Sequence, residues 1–131
     1  MYTLIQLTPM ELNQICSDKN WSTIWKLIEP PYIQNCEKVV DGVGNFIAII
    51  YYDLTDNPKL ICKFEVRSDL QNQGHGRKII AQFLKHHPFE FHLFPDGEDA
   101  ERFWRKCVLR EIGTNCGTIF NCKVFPTSWN F

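Results

Sequence analysis

The chain has 131 residues, 44% of them hydrophobic and 22% charged, with a net charge of −1. That length suits one domain with one substantial core, the composition excludes a disordered chain, and the charge balance argues against a general nucleic-acid binder, which carries a basic excess. No apolar run approaches the roughly 20 residues that a membrane-spanning helix needs, and Met1-Tyr2-Thr3-Leu4 lacks the basic start and long apolar stretch of a secretory leader.

Residues 2–7 alternate in the manner of an edge strand. Thr8-Pro9 reads as a helix start, with proline at the first turn and Glu11 at the acidic end. Residues 9–17 and about 20–28 form two predicted helices, the second with Trp21, Trp25 and Ile28 at helical spacing. Pro30-Pro31 is expected to stop it. Lys38-Val39-Val40 and residues 46–52 read as strands joined by the Gly-rich turn Asp41-Gly42-Val43-Gly44-Asn45. Asp56-Asn57-Pro58 marks another turn. A third strand follows over 60–67, then a helix over 76–86 with Ile79, Ile80, Phe83 and Leu84 on its apolar face. Residues 89–94 read as a strand and 98–109 as a helix carrying Phe103, Trp104 and Cys107. A final pair of strands, broken up by Gly113-Thr114-Asn115 and Asn121, reaches Phe125.

The strand–helix–strand at 59–94 fits a right-handed crossover between parallel strands. The strands over 37–67 are close in sequence and most simply antiparallel. The expected fold is therefore α/β: a single mixed, mostly antiparallel sheet with a central parallel pair and helices on both faces. There are no repeats, low-complexity tracts or linkers, so residues 1–131 read as a single domain. Cysteines stand at 16, 36, 62, 107, 116 and 122, with no Cys-x-x-Cys pair and no zinc-type Cys–His spacing. No metal is expected, and unbridged thiols in a reducing cytoplasm are.

The strongest chemical signal is Gln71-Asn72-Gln73-Gly74-His75-Gly76-Arg77-Lys78, between a strand and a helix start. The first turn of a helix has unpaired N–H groups and the positive end of the dipole. Glycines let backbone approach a phosphate closely, and Arg77 and Lys78 add positive charge. Together these make an anion site. There is no third glycine for a dinucleotide fingerprint and no Gly-Lys-Ser/Thr for a nucleotide P-loop.

The string Val66-Arg67-Ser68-Asp69-Leu70-Gln71-Asn72-Gln73-Gly74-His75-Gly76 resembles the motif of the GNAT acetyltransferases, Q/R-x-x-G-x-G/A after a strand, and the element order over 2–125 is similar to that family's. The resemblance implies a GNAT fold that binds acetyl-CoA as acyl donor. It implies a diphosphate site formed by Gln71, Asn72, Gln73, Gly74, His75, Gly76 and Arg77, through the backbone amides of 72–77. It also implies that main chain from Phe64 to Val66 pairs with the pantetheine arm, and that the Val66 amide contacts the acyl carbonyl. Many members carry a tyrosine on the last long helix as the acid for the departing thiolate. Here that position holds Trp104, counted with the cofactor site; its indole N–H is far too weak an acid for that task. An asparagine common in the family is replaced by Gly97.

Amine acylation needs a base. His92 is one candidate, in a strand where some relatives carry a catalytic glutamate; Glu90, His92 and Phe94 share one face by alternation, and an imidazole titrates near neutrality. The alternative is a partly buried structural histidine. Glu65, near the reactive carbonyl, is the second candidate; its alternative is a rim carboxylate. Asp96, Glu98 and Asp99 complement the dipole of the helix they open, or attract a cationic amine. The His75 side chain is expected in solvent, since the loop works through its backbone. His86-His87 suits a helix C-terminus rather than a metal. By the same resemblance, Trp21, Trp25 and Tyr32 are candidate acceptor contacts.

Two functions follow: an N-acetyltransferase acting on a primary amine, or a GNAT domain that senses acetyl-CoA and regulates a partner; the bland alternative is an α/β domain whose loop is a tight strand-to-helix turn with no ligand. No nucleic acid, membrane or metal partner is expected, and a monomer or homodimer fits either reading.

Overall fold

A computed structural model describes residues 1–28, 30–55, 59–87, 91–93, 98–107, 110–114 and 117–122. The chain divides into two compact units, Met1–Tyr52 with Lys63–Gly76, and Asp53–Cys62 with Arg77–Phe131.

The first unit is built on strands β1 (Thr3–Gln6), β2 (Cys36–Val40), most of β3 (Phe46–Asp53) and the second half of β4 (Lys59–Val66). β1 runs antiparallel to β2, with Thr3 opposite Val40 and Gln6 opposite Glu37. β2 runs antiparallel to β3, with Cys36 opposite Tyr51. The turn between β2 and β3 closes on Asp41: its carboxylate Oδ1 accepts from the N–H groups of Val43 (3.0 Å) and Asn45 (2.9 Å), and Gly44 supplies a left-handed φ of 90°. Ile47, Ala48, Ile49 and Ile50 are all buried, the continuous apolar run of a strand covered on both faces.

Helix α1 (Pro9–Ser17) starts where the sequence places it, because Thr8 forms a complete capping box. The Glu11 N–H donates to Thr8 Oγ1 at 3.2 Å and the Thr8 N–H to Glu11 Oε1 at 3.0 Å, satisfying two otherwise orphaned groups. Its buried face, Leu12 and Ile15, joins Leu7, Trp21, Trp25, Ile33, Cys36 and Ile49 in one core cluster. Lys38 on β2 forms an ion pair with Glu11. Burial alone would raise the Glu11 carboxyl, but the bonds from Lys38 and Thr8 outweigh it and hold it below its ordinary 4.5. That contribution is present above 4.5 and lost as pH falls through the lowered value. Thr8→Ala is expected to lower the urea midpoint by the equivalent of about 1 kcal/mol, with an unchanged m-value; no shift in the midpoint would show that the box does not hold the helix.

The second expected helix, about 20–28, is instead a 3₁₀ segment, Thr23–Leu27, followed by another, Pro30–Asn35. The backbone just ahead is bonded elsewhere: the Ser68 N–H donates to Asn20 O at 3.0 Å, and the Ser22 N–H to the Glu65 carboxylate. An α-helix over 20–28 would need the Asn20 carbonyl to accept from the N–H four residues on, whereas the Ser22 N–H would have no partner within its first turn. Trp21 and Trp25 are still buried, so the apolar spacing marked the inward residues correctly and the helix type wrongly. Pro30-Pro31 opens the second 3₁₀ segment rather than ending a helix.

The second unit holds the first half of β4, nearly all of α2 (His75–His86), β5 (Phe91–Leu93), α3 (Glu98–Lys106), β6 (Arg110–Thr114) and β7 (Gly117–Cys122). β4 and β5 are parallel, Lys59 opposite Phe91 and Leu60 opposite His92. β7 is antiparallel to both β5 and β6. Ile79, Ile80, Ala81, Phe83 and Leu84 form the buried face of α2, and the Phe83 ring lies 5.3 Å from that of Phe91. Trp104 on α3 and Cys107 just after it are buried. That helix ends at Lys106, not at 109; residues 108–109, and 89–90 and 94 of the expected strand, lie outside the described residues. The strand order is β1-β2-β3-β4 in one unit and β4-β5-β7-β6 in the other. This is the mixed, mostly antiparallel α/β sheet with a central parallel pair that the sequence predicts.

Candidate acyl-CoA site

β4 carries the first part of the site. Strand alternation puts Ile61, Lys63 and Glu65 on one face and Cys62, Phe64 and Val66 on the other. Phe64, Glu65 and Val66 are all partly buried. The strand ends where Arg67 turns away: its N–H donates to Ile47 O at 2.8 Å and its guanidinium to Phe46 O at 3.0 Å and Asp69 at 2.7 Å. A 3₁₀ turn, Ser68–Leu70, leads into the loop. The Gln71 side-chain amide reaches back to donate to Val66 O at 2.9 Å.

The loop is then left-handed at two positions. Asn72 has φ 63° and Gly74 φ 85°, and α2 begins at the next residue. Left-handed residues alternating with residues of negative φ can turn successive N–H groups toward one side, as in an anion-binding concavity. Asn72, Gln73 and Gly74 are exposed, Gly76 is buried, and Arg77 and Lys78 are exposed. The loop thus presents backbone to solvent at the positive end of a helix.

His75 is not the solvent-exposed side chain expected from the sequence. Its imidazole is partly buried, with Nδ1 2.7 Å from the Tyr2 hydroxyl. The two rings meet edge-on, 6.0 Å between centroids. Tyr2 carries no motif, and nothing in the sequence marks it as a neighbour of the loop.

Glu65 is held by the first unit's core. Its Oε1 accepts from the Trp25 indole N–H at 2.6 Å, and Ser22 N–H lies 3.0 and 3.1 Å from the two carboxylate oxygens. Two long-range donors therefore occupy the second candidate base. The hydroxyl of Ser68 reinforces the tie by donating to Asn20 Oδ1 at 3.0 Å.

His92 lies on β5 between the buried Phe91 and Leu93 and is itself partly buried. Its expected neighbours on that face, Glu90 and Phe94, lie outside the described residues, as do Asp96 and Gly97. Trp104 is 7% exposed, its ring 4.9 Å from that of Phe103. Burial pushes the Cys107 thiol up to about 12 against the opposing influence of Arg77, so it is a protonated core group rather than a nucleophile. Glu98 and Asp99 are exposed, and Asp99 pairs with Arg102 along the helix. The His87 ring packs at a tilt of 41° on Phe83, 4.6 Å between centroids. Tyr32 is 47% exposed. Among the described residues no cluster of His, Cys, Asp and Glu could hold a metal ion, and no helix is long and apolar enough to cross a membrane.

A parallel β4–β5 pair, joined through a loop with two left-handed residues and the helix that follows, in a sheet ordered as above, is the fold of the GNAT acetyltransferases; the chain has that fold. It is similar to the Bacillus subtilis N-acetyltransferase YlbP in complex with coenzyme A, at 15% identity over 94% of this chain and 97% of that one, TM-score 0.64. It is similar also to the ribosomal-protein-S18-alanine N-acetyltransferase of Escherichia coli, at 16% identity over 100% and 99%, TM-score 0.61. A Bacillus cereus acetyltransferase of the GNAT family shares 13% identity over 96% and 99%, TM-score 0.66. No protein-family model and no curated protein matches the sequence.

Proposed function

We propose that the chain is an acetyl-CoA-dependent N-acetyltransferase that acylates a primary amine. The observation that carries this reading is the loop: left-handed Asn72 and Gly74 lead directly into the first turn of α2. Fold-level likeness to acetyltransferases, one of them in complex with coenzyme A, supports it. In the reaction the amine nitrogen forms a bond to the thioester carbonyl carbon and the carbon–sulfur bond breaks. The Val66 N–H is the assigned donor to the oxyanion. His92 is the assigned base that takes the ammonium proton; Glu65, whose carboxylate accepts from Ser22 and Trp25, is the second candidate. The nitrogen gives up its second proton to water as the carbon–sulfur bond breaks, and the thiolate takes its proton from water, because the indole of Trp104 cannot supply one.

The test is thiol release from acetyl-CoA with a panel of primary amines. Turnover is expected with at least one amine, and His92→Ala is expected to lower kcat/KM by about 100-fold or more. A loss of less than about threefold would remove His92 from the role of base. The buried Trp104 at the family's tyrosine position favours a second reading, an acetyl-CoA sensor. Coenzyme A binding without turnover on any amine would select it.

A further inference from the structure

We propose that Tyr2 is a positioning residue for the diphosphate loop, acting through its hydrogen bond to the His75 imidazole. The inference rests on the acetyl-CoA reading above and deepens it.

His75 is the first residue of α2, so its peptide N–H belongs to the turn that lacks intrahelical partners. Those N–H groups can hold an anion only while the turn keeps its shape. The residues before it, Asn72, Gln73 and Gly74, are exposed. The loop is therefore held from its ends. At one end the Gln71 amide donates to Val66 O at 2.9 Å. At the other, the His75 ring is anchored 2.7 Å from the Tyr2 hydroxyl. Tyr2 immediately precedes β1, which is paired with β2 along its whole length. The anchor thus belongs to the sheet and not to the loop.

The phenol is suited to this. Burial, and then the nearby Asp41, raise Tyr2 above its ordinary 10.0, so it stays an O–H donor throughout the working pH range. We assign the bond as Tyr2 O–H donating to Nδ1, which places the proton of the neutral ring on Nε2. Among the described residues Nε2 makes no hydrogen bond, so the Tyr2 contact is what fixes the ring. A ring fixed at its tip restrains the backbone of its own residue. The first turn of α2 is then ordered before ligand arrives, and binding does not bear that entropy.

The experiment combines calorimetry with coenzyme A and ¹⁵N NMR of the imidazole. In the wild type the neutral ring is expected as the Nε2–H tautomer. Tyr2→Phe should give a mixture of tautomers and about fivefold weaker binding of coenzyme A, the worth of one net hydrogen bond. His75→Leu should weaken binding to the same degree. His75→Asn, which puts an acceptor near the Nδ1 position, should restore most of it. Tyr52→Phe removes a comparable phenol bond, to Glu37 on β2, and should leave binding unchanged. If wild type binds but Tyr2→Phe stays within about twofold of it, or if the tautomer does not change, the role of Tyr2 is overturned while the acetyl-CoA reading stands. Absence of coenzyme A binding by the wild type overturns both. Should Tyr2→Phe fail to fold, the Leu and Asn variants of His75 decide: equal affinities overturn the proposal.

Discussion

Gly74→Val is expected to reduce coenzyme A binding by about 100-fold or more while the chain still folds. Gly74 has φ 85°, and a Cβ added there would meet no atom within 4 Å. Crowding is therefore not the obstacle; backbone conformation is. A β-branched residue at positive φ is a genuine outlier, and the left-handed state costs a non-glycine residue about 1–2 kcal/mol. The loop then either keeps its shape under strain or turns over at residue 74. Turning over aims its N–H groups away from the ligand, and each charge-assisted bond lost is worth about 1.5–3 kcal/mol. Isothermal titration reads the affinity, and urea unfolding should show a fall of no more than about 2 kcal/mol. Gly74→Asn is the matched comparison, because asparagine tolerates this region, and the neighbouring Asn72 already adopts it with φ 63°. Near-wild-type binding by Gly74→Val would remove the loop from the site altogether.

Trp25→Ala should cause the largest loss of stability, about 3–5 kcal/mol. Trp25 is fully buried in the cluster that joins α1 to β2 and β3. Its removal leaves a cavity and also withdraws a 2.6 Å donor from Glu65. Against a total stability of about 5–15 kcal/mol, that is a large fraction, and it should appear as a fall in the urea midpoint. Trp25→Phe weights the two effects differently: it keeps a ring in the core, leaves a smaller cavity and deletes the N–H, for about 1–3 kcal/mol. Glu65→Leu alone and with Trp25→Phe completes a double-mutant cycle, in which the pair should be non-additive. A loss under about 1 kcal/mol for Trp25→Ala would mean that neither the packing nor the bond matters.

Features governed by neighbouring residues were readable from the sequence. Proline after Thr8 and glutamate at 11 announced α1, and the capping box explains why. The glycines at 42 and 44 announced the turn between β2 and β3, and the apolar face of α2 was legible from its period. The position of the glycine loop at 71–76 between a strand and a helix was equally plain. Features that depend on distant partners were not readable. The 3₁₀ form of Thr23–Leu27 accompanies bonds from Ser22 and Trp25 to Glu65, 43 and 40 residues away. The Tyr2–His75 contact spans 73 residues. Periodicity tells which side chains face inward; it does not tell which peptide groups a distant carboxylate will claim.

The Asp41 turn bears on the order in which the molecule is made. Its carboxylate is satisfied within five residues by Val43 and Asn45, so closing β2 on β3 costs little chain entropy. Pairing β4 with β5 must wait for a long crossover, and contacts so far apart in sequence form slowly. During synthesis a nascent chain can therefore complete the hairpin first, and the segment assigned to the diphosphate takes its final shape against a sheet that already exists.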